Sequence, residues 1–270
     1  MSYTSFKKII WAHCRKHGRH DLPWRQTHDL YRILVSEVML QQTQVERVIP
    51  FYKAFIKKFP TARRLAQASL SDVLKAWQGL GYNRRAKLLR EATQQLVHTT
   101  LSGTRLNLIK KLEELSGVGP YTARAVAAFA FNQDVIFIET NIRTVITHHF
   151  FQKRRKVSDK EIEKILTAVL PKGKSREWYS ALMDYGAYLK RSGIKLNTKS
   201  KHYAKQSAFA GSSREARGAI LRVLSTKEST AVHLTNLLGP DRCMQTNGAL
   251  EDLVSENLVK IRRGVYSLAD

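Results

Sequence analysis

A mainly α fold ending in a small winged-helix-like module is predicted by three features of the sequence. Apolar residues recur at helical spacing through most of the first 190 positions. Glycine and proline fall between these runs. After Ser212, three more helical patterns precede two short strand-like runs separated by Arg262-Arg263-Gly264. At about 150 residues per domain, a chain of 270 residues has room for roughly two domains.

Periodicity predicts helices over Ser5 to His17, Leu30 to Gln42, Val48 to Phe59, Leu70 to Ala76, Arg84 to Thr99, Leu106 to Leu115, Tyr121 to Phe131, Ile142 to Phe151, Asp159 to Leu170 and Arg176 to Lys190. Pro23, Pro50, Pro60, Gly79, Gly81, Gly117, Gly119, Pro120 and Pro171 are read as breaks, and Asp29 and Ser158 as N-caps. From Lys190 to Arg217, eight basic residues face one acid, Glu215. That stretch is either a solvated linker or a basic strap along a phosphate backbone. The last module reads as helices over Arg214 to Leu224, Thr230 to Leu238 and Gln245 to Glu256, then a ribbon over Leu258 to Ile261 and Val265 to Leu268. This order fits a winged helix, a module that binds DNA or protein. The expected parts are therefore 1–190, 191–212 and 213–270.

Composition narrows the function. Forty-six Lys and Arg against 22 Asp and Glu leave a net charge of +24. That excess is too large for an ordinary metabolic enzyme and points to a polyanion: DNA, RNA or an anionic membrane surface. With 43% hydrophobic and 25% charged residues, a packed core is expected rather than disorder. Apolar runs such as Ala125 to Phe131 are far shorter than the ~18 residues of a transmembrane helix, and the N-terminus does not read as a signal peptide. The two cysteines, Cys14 and Cys243, make neither a disulfide framework nor a multi-cysteine metal site. A cytoplasmic, nucleoid-associated protein is expected.

Leu115-Ser116-Gly117-Val118-Gly119-Pro120-Tyr121-Thr122-Ala123 joins two helical runs. Two glycines permit a tight turn with positive φ, and Pro120 suits the first turn of the next helix. Backbone N–H groups at that helix start favour an anion, and a DNA phosphate is the natural occupant. A plain helical hairpin is the simpler alternative. The full string, followed by the small-residue helix Ala123 to Ala130, resembles the helix-hairpin-helix of the DNA glycosylase superfamily that contains endonuclease III and MutY. Leu22-Pro23-Trp24-Arg25, Tyr31 to Val45 and Gly79-Leu80-Gly81-Tyr82 are similar to the MutY adenine glycosylase signature. The resemblance covers about residues 20 to 190. It implies a two-lobed helix-hairpin-helix glycosylase fold and a partner that is double-stranded DNA carrying a mispair or damaged base.

Glu37 is surrounded by apolar residues on nearly every helical face, so it is expected to be buried or to line a cleft. Desolvation raises a carboxyl pKa and suits it to proton donation. The resemblance implies that Glu37 protonates a flipped purine and then activates water. Flipping is needed because the glycosidic bond is inaccessible in the stack. Glu139 follows Val135-Ile136-Phe137-Ile138 and stands where the family has an aspartate. Its implied role is to stabilise the oxocarbenium-like sugar, and the alternative is a helix-start acid that complements the dipole. Tyr121 occupies the position of the Schiff-base lysine of bifunctional members; it packs the hairpin or shapes the pocket, and implies a monofunctional enzyme. Gln41, Gln42 and Tyr82 match residues that enter the DNA stack or hold the opposite strand. Gly117, Val118, Gly119 and Tyr121 of the hairpin are candidate DNA contacts, as are Arg143, Arg262 and Arg263.

The sequence departs from the family twice. The four cysteines that usually follow the region equivalent to Met183 to Ala187 are missing from Leu189 to Phe209, so no iron–sulfur cluster or other cofactor is expected. The large C-terminal domain with which MutY senses 8-oxoguanine gives way to the winged-helix-like module. The function expected is hydrolytic excision of adenine mispaired with 8-oxoguanine or guanine. The alternatives are a mismatch glycosylase for thymine, uracil or hypoxanthine, and a non-catalytic lesion-binding protein.

Overall fold

The computed structural model describes residues 1–100, 104–194, 196 and 209–270. In chain order the helices are α1 (Tyr3–His17), α2 (Leu30–Leu40), α3 (Val45–Lys58), α4 (Ala62–Gln67), α5 (Leu70–Trp77), α6 (Arg84–Leu96) and α7 (Arg105–Glu113). They continue as α8 (Pro120–Phe131), α9 (Thr140–Phe150), α10 (Asp159–Val169), α11 (Ser175–Arg191), α12 (Ser213–Leu224), α13 (Ala231–Leu238) and α14 (Cys243–Ser255). The strands are β1 (Ser229–Thr230), β2 (Val259–Arg262) and β3 (Val265–Leu268). The fold is thus mainly α, as expected. No helix among the described residues is long and apolar enough to cross a membrane.

The chain divides into two compact units, the described parts of 1–34, 102–113 and 118–205, and of 35–101, 114–117 and 206–270. Most of the expected basic strap lies outside the described residues.

In the first unit, α11 packs along α9, with α1 and α8 also against it. Gly186 explains the close passage, because a Cβ there would lie 2.4 Å from the Asn141 carbonyl oxygen. The helix starts use the expected caps: Asp29 Oδ1 accepts from Arg32 N at 2.8 Å, and Ser158 forms a capping box with Glu161. Asp184, 2% exposed, accepts from Arg19 and from Arg25 of the Leu-Pro-Trp-Arg string, the latter at 2.6 Å. Burial pushes its carboxyl up, but hydrogen bonding and charge from Arg25, then Arg19, outweigh this and hold it below its usual value.

Phe6, His149, Phe150 and Trp178 form an aromatic cluster in the same unit. Burial, reinforced by His148 and the chain's amino group, holds the His149 imidazole down at about 4. The unfolded chain therefore takes up a proton near pH 6.5 that the folded chain refuses until about pH 4. This contribution to stability is complete above pH 6.5 and is lost as the pH falls toward 4. Melting temperatures are expected to drop from pH 7 to pH 5, and to drop less in His149→Phe, which keeps a ring but cannot titrate. Equal pH dependence in the two proteins would contradict this.

In the second unit, α4 and α5 pack on α6, and α3 on α5, around Val48, Phe55, Leu65, Trp77 and Leu89. The C-terminal module packs α12 and α13 on α14 and adds an antiparallel sheet of order β1-β3-β2. Its α14 end is tied to α6 by the Lys87 Nζ bond to the Glu256 carbonyl at 3.0 Å.

Four local expectations need correction. Pro50 lies inside α3 rather than breaking it; it is exposed near the helix start, so water can satisfy the carbonyl one turn earlier. The six-residue α4, capped by Thr61, is too short to show apolar periodicity. The hairpin turn is the pair Arg263 (φ 50°) and Gly264 (φ 77°), while Arg262 ends β2. The two-residue β1 is recognisable only through its pairing, Ser229 with Tyr266 and Thr230 with Val265.

Candidate active site

Helix α2 carries Glu37 in its third turn. The carboxyl-bearing residue is 7% exposed, between Ser36 at 1% and Val38 at 5%. An apolar helix offers it no solvated face. The end of α2 is fixed by Arg85, a residue the sequence pattern does not single out. Its Nη1 donates to the carbonyls of Val38 (2.8 Å), Met39 (3.0 Å) and Gln41 (2.6 Å). Its Nη2 donates to Gly81 O at 3.0 Å. A cation at a helix C-terminus meets both the orphan carbonyls and the dipole. Burial pulls the Arg85 guanidinium down to about 10, with Tyr82 partly opposing, so it stays charged at neutral pH.

This cap corrects the expected extent of α2. Gln41 and Gln42 lie in the turn after Leu40, not on the helix, and Gln42 takes a left-handed φ of 56°. Tyr82 is also left-handed, with φ 49°. Arg85 thus holds the Gln41–Thr43 turn and the Gly79–Tyr82 loop through one guanidinium.

The hairpin has one glycine with positive φ, Gly117 (73°). A Cβ there would sit 2.7 Å from the Leu88 Cβ, so glycine is needed for both backbone and space. Gly119 is not left-handed as expected; it is the N-cap of α8 at φ −82°, the extended conformation a cap adopts. Pro120 opens α8. Val118 is buried, and Gly119 and Pro120 are exposed. Tyr121 is half-buried, its ring edge-on to Phe137 at 5.8 Å.

Glu139 is the N-cap of α9. Its Oε2 accepts from Asn141 N at 2.6 Å. Its Oε1 accepts from Asn141 Nδ2 at 3.0 Å and Thr140 Oγ1 at 2.7 Å. Lys190 of α11 donates to Thr140 Oγ1 at 3.0 Å. Burial lowers the Lys190 ammonium and the Glu139 charge raises it, which makes Lys190 the nearby countercharge. Within the basic run Lys190 carries no distinguishing signal; only the fold of α11 against α9 brings it here. Arg143, a candidate DNA contact, donates to Asp159 at 2.6 Å. Arg262 and Arg263 are exposed on the hairpin.

Residues 35–172 match the family described as HhH-GPD superfamily base excision DNA repair protein. An adenine DNA glycosylase of Mycolicibacterium smegmatis is 33% identical over 282 residues, covering 96% of this chain and 94% of its own. One of Buchnera aphidicola is 33% identical over 191 residues, 69% of this chain and 54% of its own. A solved thermostable thymine-DNA glycosylase superposes with a TM-score of 0.58 at 26% identity, covering 68% of this chain and 86% of its own. The chain therefore belongs to the HhH-GPD superfamily of base excision DNA repair proteins, alongside the adenine DNA glycosylases.

Proposed function

We propose that the protein is a monofunctional DNA glycosylase that excises adenine mispaired with 8-oxoguanine or guanine. The observation that carries this reading is the 33% identity to an adenine DNA glycosylase across 96% of the chain. The burial of Glu37 supports it chemically.

In this mechanism the flipped adenine meets Glu37 in its protonated form. The proton passes to the base as the glycosidic C–N bond breaks, and the bond electrons leave with the base. The sugar is left as an oxocarbenium-like cation, which the Glu139 carboxylate stabilises. Water then attacks the anomeric carbon and gives its proton to Glu37, restoring the acid. The product is an abasic site in an uncut strand. A charge held in place by three hydrogen bonds needs little reorganisation when the cation develops.

Tyr121 has no amine and cannot form an imine with the abasic sugar. Borohydride is therefore expected to trap no enzyme–DNA adduct during turnover, and efficient trapping would assign lyase chemistry to another amine. The donor set does not fit an iron–sulfur cluster: the two cysteines of the chain lie on α1 and α14, Cys14 half-buried and Cys243 exposed.

Duplex DNA is the binding partner, and the exposed Arg262 and Arg263 are phosphate contacts. Arg262→Ala/Arg263→Ala is expected to weaken binding about equally for all sequences and to reduce the magnitude of the salt slope by roughly 1–2. An unchanged slope would instead favour a protein-binding wing. The likeness to a thymine-DNA glycosylase favours thymine excision as the second reading. Strand cleavage by alkali after incubation with a panel of defined mispairs separates the two: breaks at adenine support the first reading, breaks at thymine the second.

A further inference from the structure

Lys190 stands in the last turn of α11, where a basic residue ordinarily complements the helix dipole. Arg191, its neighbour, can serve that purpose; Lys190 instead reaches across to the start of α9. Gly186 makes this possible, one turn earlier on the same face of α11. A Cβ at Gly186 would lie 2.4 Å from the Asn141 carbonyl oxygen and 2.6 Å from the Asn141 Cβ, so only glycine lets the two helices pass this closely. The half-buried Lys190 then places its Nζ 3.0 Å from Thr140 Oγ1.

Counting donors and acceptors fixes the direction of this contact. A lysine ammonium only donates, an ionised carboxylate only accepts, and a hydroxyl has one proton to give. Thr140 Oγ1 therefore accepts from Lys190 and commits its proton to Glu139 Oε1, 2.7 Å away. Oε1 also accepts from Asn141 Nδ2, and Oε2 from Asn141 N. Thr140 and Asn141 belong to α9 itself, so Lys190 is the tie that comes from a second helix. Thr140 is exposed, and without Lys190 its hydroxyl can turn to water. A glutamate has one more rotatable bond than an aspartate and needs more holding to present its charge in one place.

We infer that Lys190 is a positioning residue for base excision: through the Thr140 hydroxyl it fixes the Glu139 carboxylate in the arrangement that stabilises the sugar cation. The inference rests on the reading of the protein as a glycosylase in which Glu139 serves the transition state. Because Lys190 acts through Glu139, its effect belongs to the rate of the chemical step and depends on the Glu139 charge.

The test is single-turnover release of adenine placed opposite 8-oxoguanine, at protein concentrations that saturate binding. Affinity is measured separately on a duplex carrying a tetrahydrofuran abasic analogue. Lys190→Met keeps the arm but removes the donor, and Thr140→Val keeps the shape but removes the hydroxyl. Each is expected to slow release by about tenfold, the worth of a hydrogen bond to a charged group. The two act in series, so the double variant should be no slower than the slower single one. Thr140→Ser should recover most of the rate that Thr140→Val loses. In a Glu139→Gln background, Lys190→Met should cost nothing further, since no charge remains to be placed. This cycle also cancels any loss of stability common to both backgrounds. A wild-type rate in Lys190→Met or in Thr140→Val would overturn the inference. Weaker affinity with an unchanged rate would make Lys190 a phosphate contact, and an equal loss in the Glu139→Gln background would make it independent of Glu139; either overturns it. Any of these results with normal adenine release by the wild type leaves the glycosylase reading standing. A wild type that releases no adenine would end that reading and the inference with it.

Discussion

Glu37→Gln is expected to slow single-turnover adenine release by about 10²–10⁴-fold, the range general acid catalysis supplies. The substitution keeps size and shape but removes the dissociable proton. Glu37 is 7% exposed on an apolar helix, where an uncharged amide of the same size and shape is tolerated. The melting temperature should therefore stay close to wild type, and the loss should appear in the chemical step rather than in DNA binding. A folded Gln variant with the wild-type rate would remove Glu37 from the mechanism.

The second large effect is expected at Glu139. On the proposed mechanism Glu139→Gln removes the charge that stabilises the developing sugar cation, and a fall of roughly 10²-fold or more in rate is expected. The same carboxylate caps α9, accepting from Asn141 and Thr140. An amide turns one of its acceptors into a donor, so some stability is lost too, about 1 kcal/mol on the scale of N-cap substitutions. Glu139→Asp separates the two roles. Aspartate is a strong N-cap and keeps the charge, but its shorter arm moves the carboxylate away from its present donors. It should preserve stability better than Gln and be slowed less. If both variants excise at the wild-type rate and differ only in melting temperature, Glu139 is a cap and nothing more.

How much of this was legible in the sequence depends on whether a residue's surroundings are local. The burial of Glu37 follows from its own helix, because apolar neighbours on nearly every helical face leave it little wet side. The turn at Gly117 and the start of α8 at Pro120 follow from backbone restrictions carried by single residues. Gly119 departs from the left-handed turn its type suggests because glycine permits left-handed φ without requiring it, and the cap position decides for the extended form. Arg85 was invisible because its value comes from carbonyls on α2, far away in sequence. Lys190 and Arg214 were hidden in a basic run where every residue has the same composition signal. Only packing distinguishes them: Lys190 meets Thr140 beside Glu139, and Arg214 meets Tyr82. Pro50 shows the converse error, a local rule that fails because an exposed helix start can leave a carbonyl to water.

The most direct test is identification of the released base. Duplexes with a single adenine opposite 8-oxoguanine or guanine are incubated with excess protein, and the small-molecule fraction is analysed by mass spectrometry. Stoichiometric free adenine is predicted, with one abasic site per duplex and a strand that stays intact until alkali is added. Release of no base from either duplex, or of thymine but not adenine from a mispair panel, would contradict adenine excision.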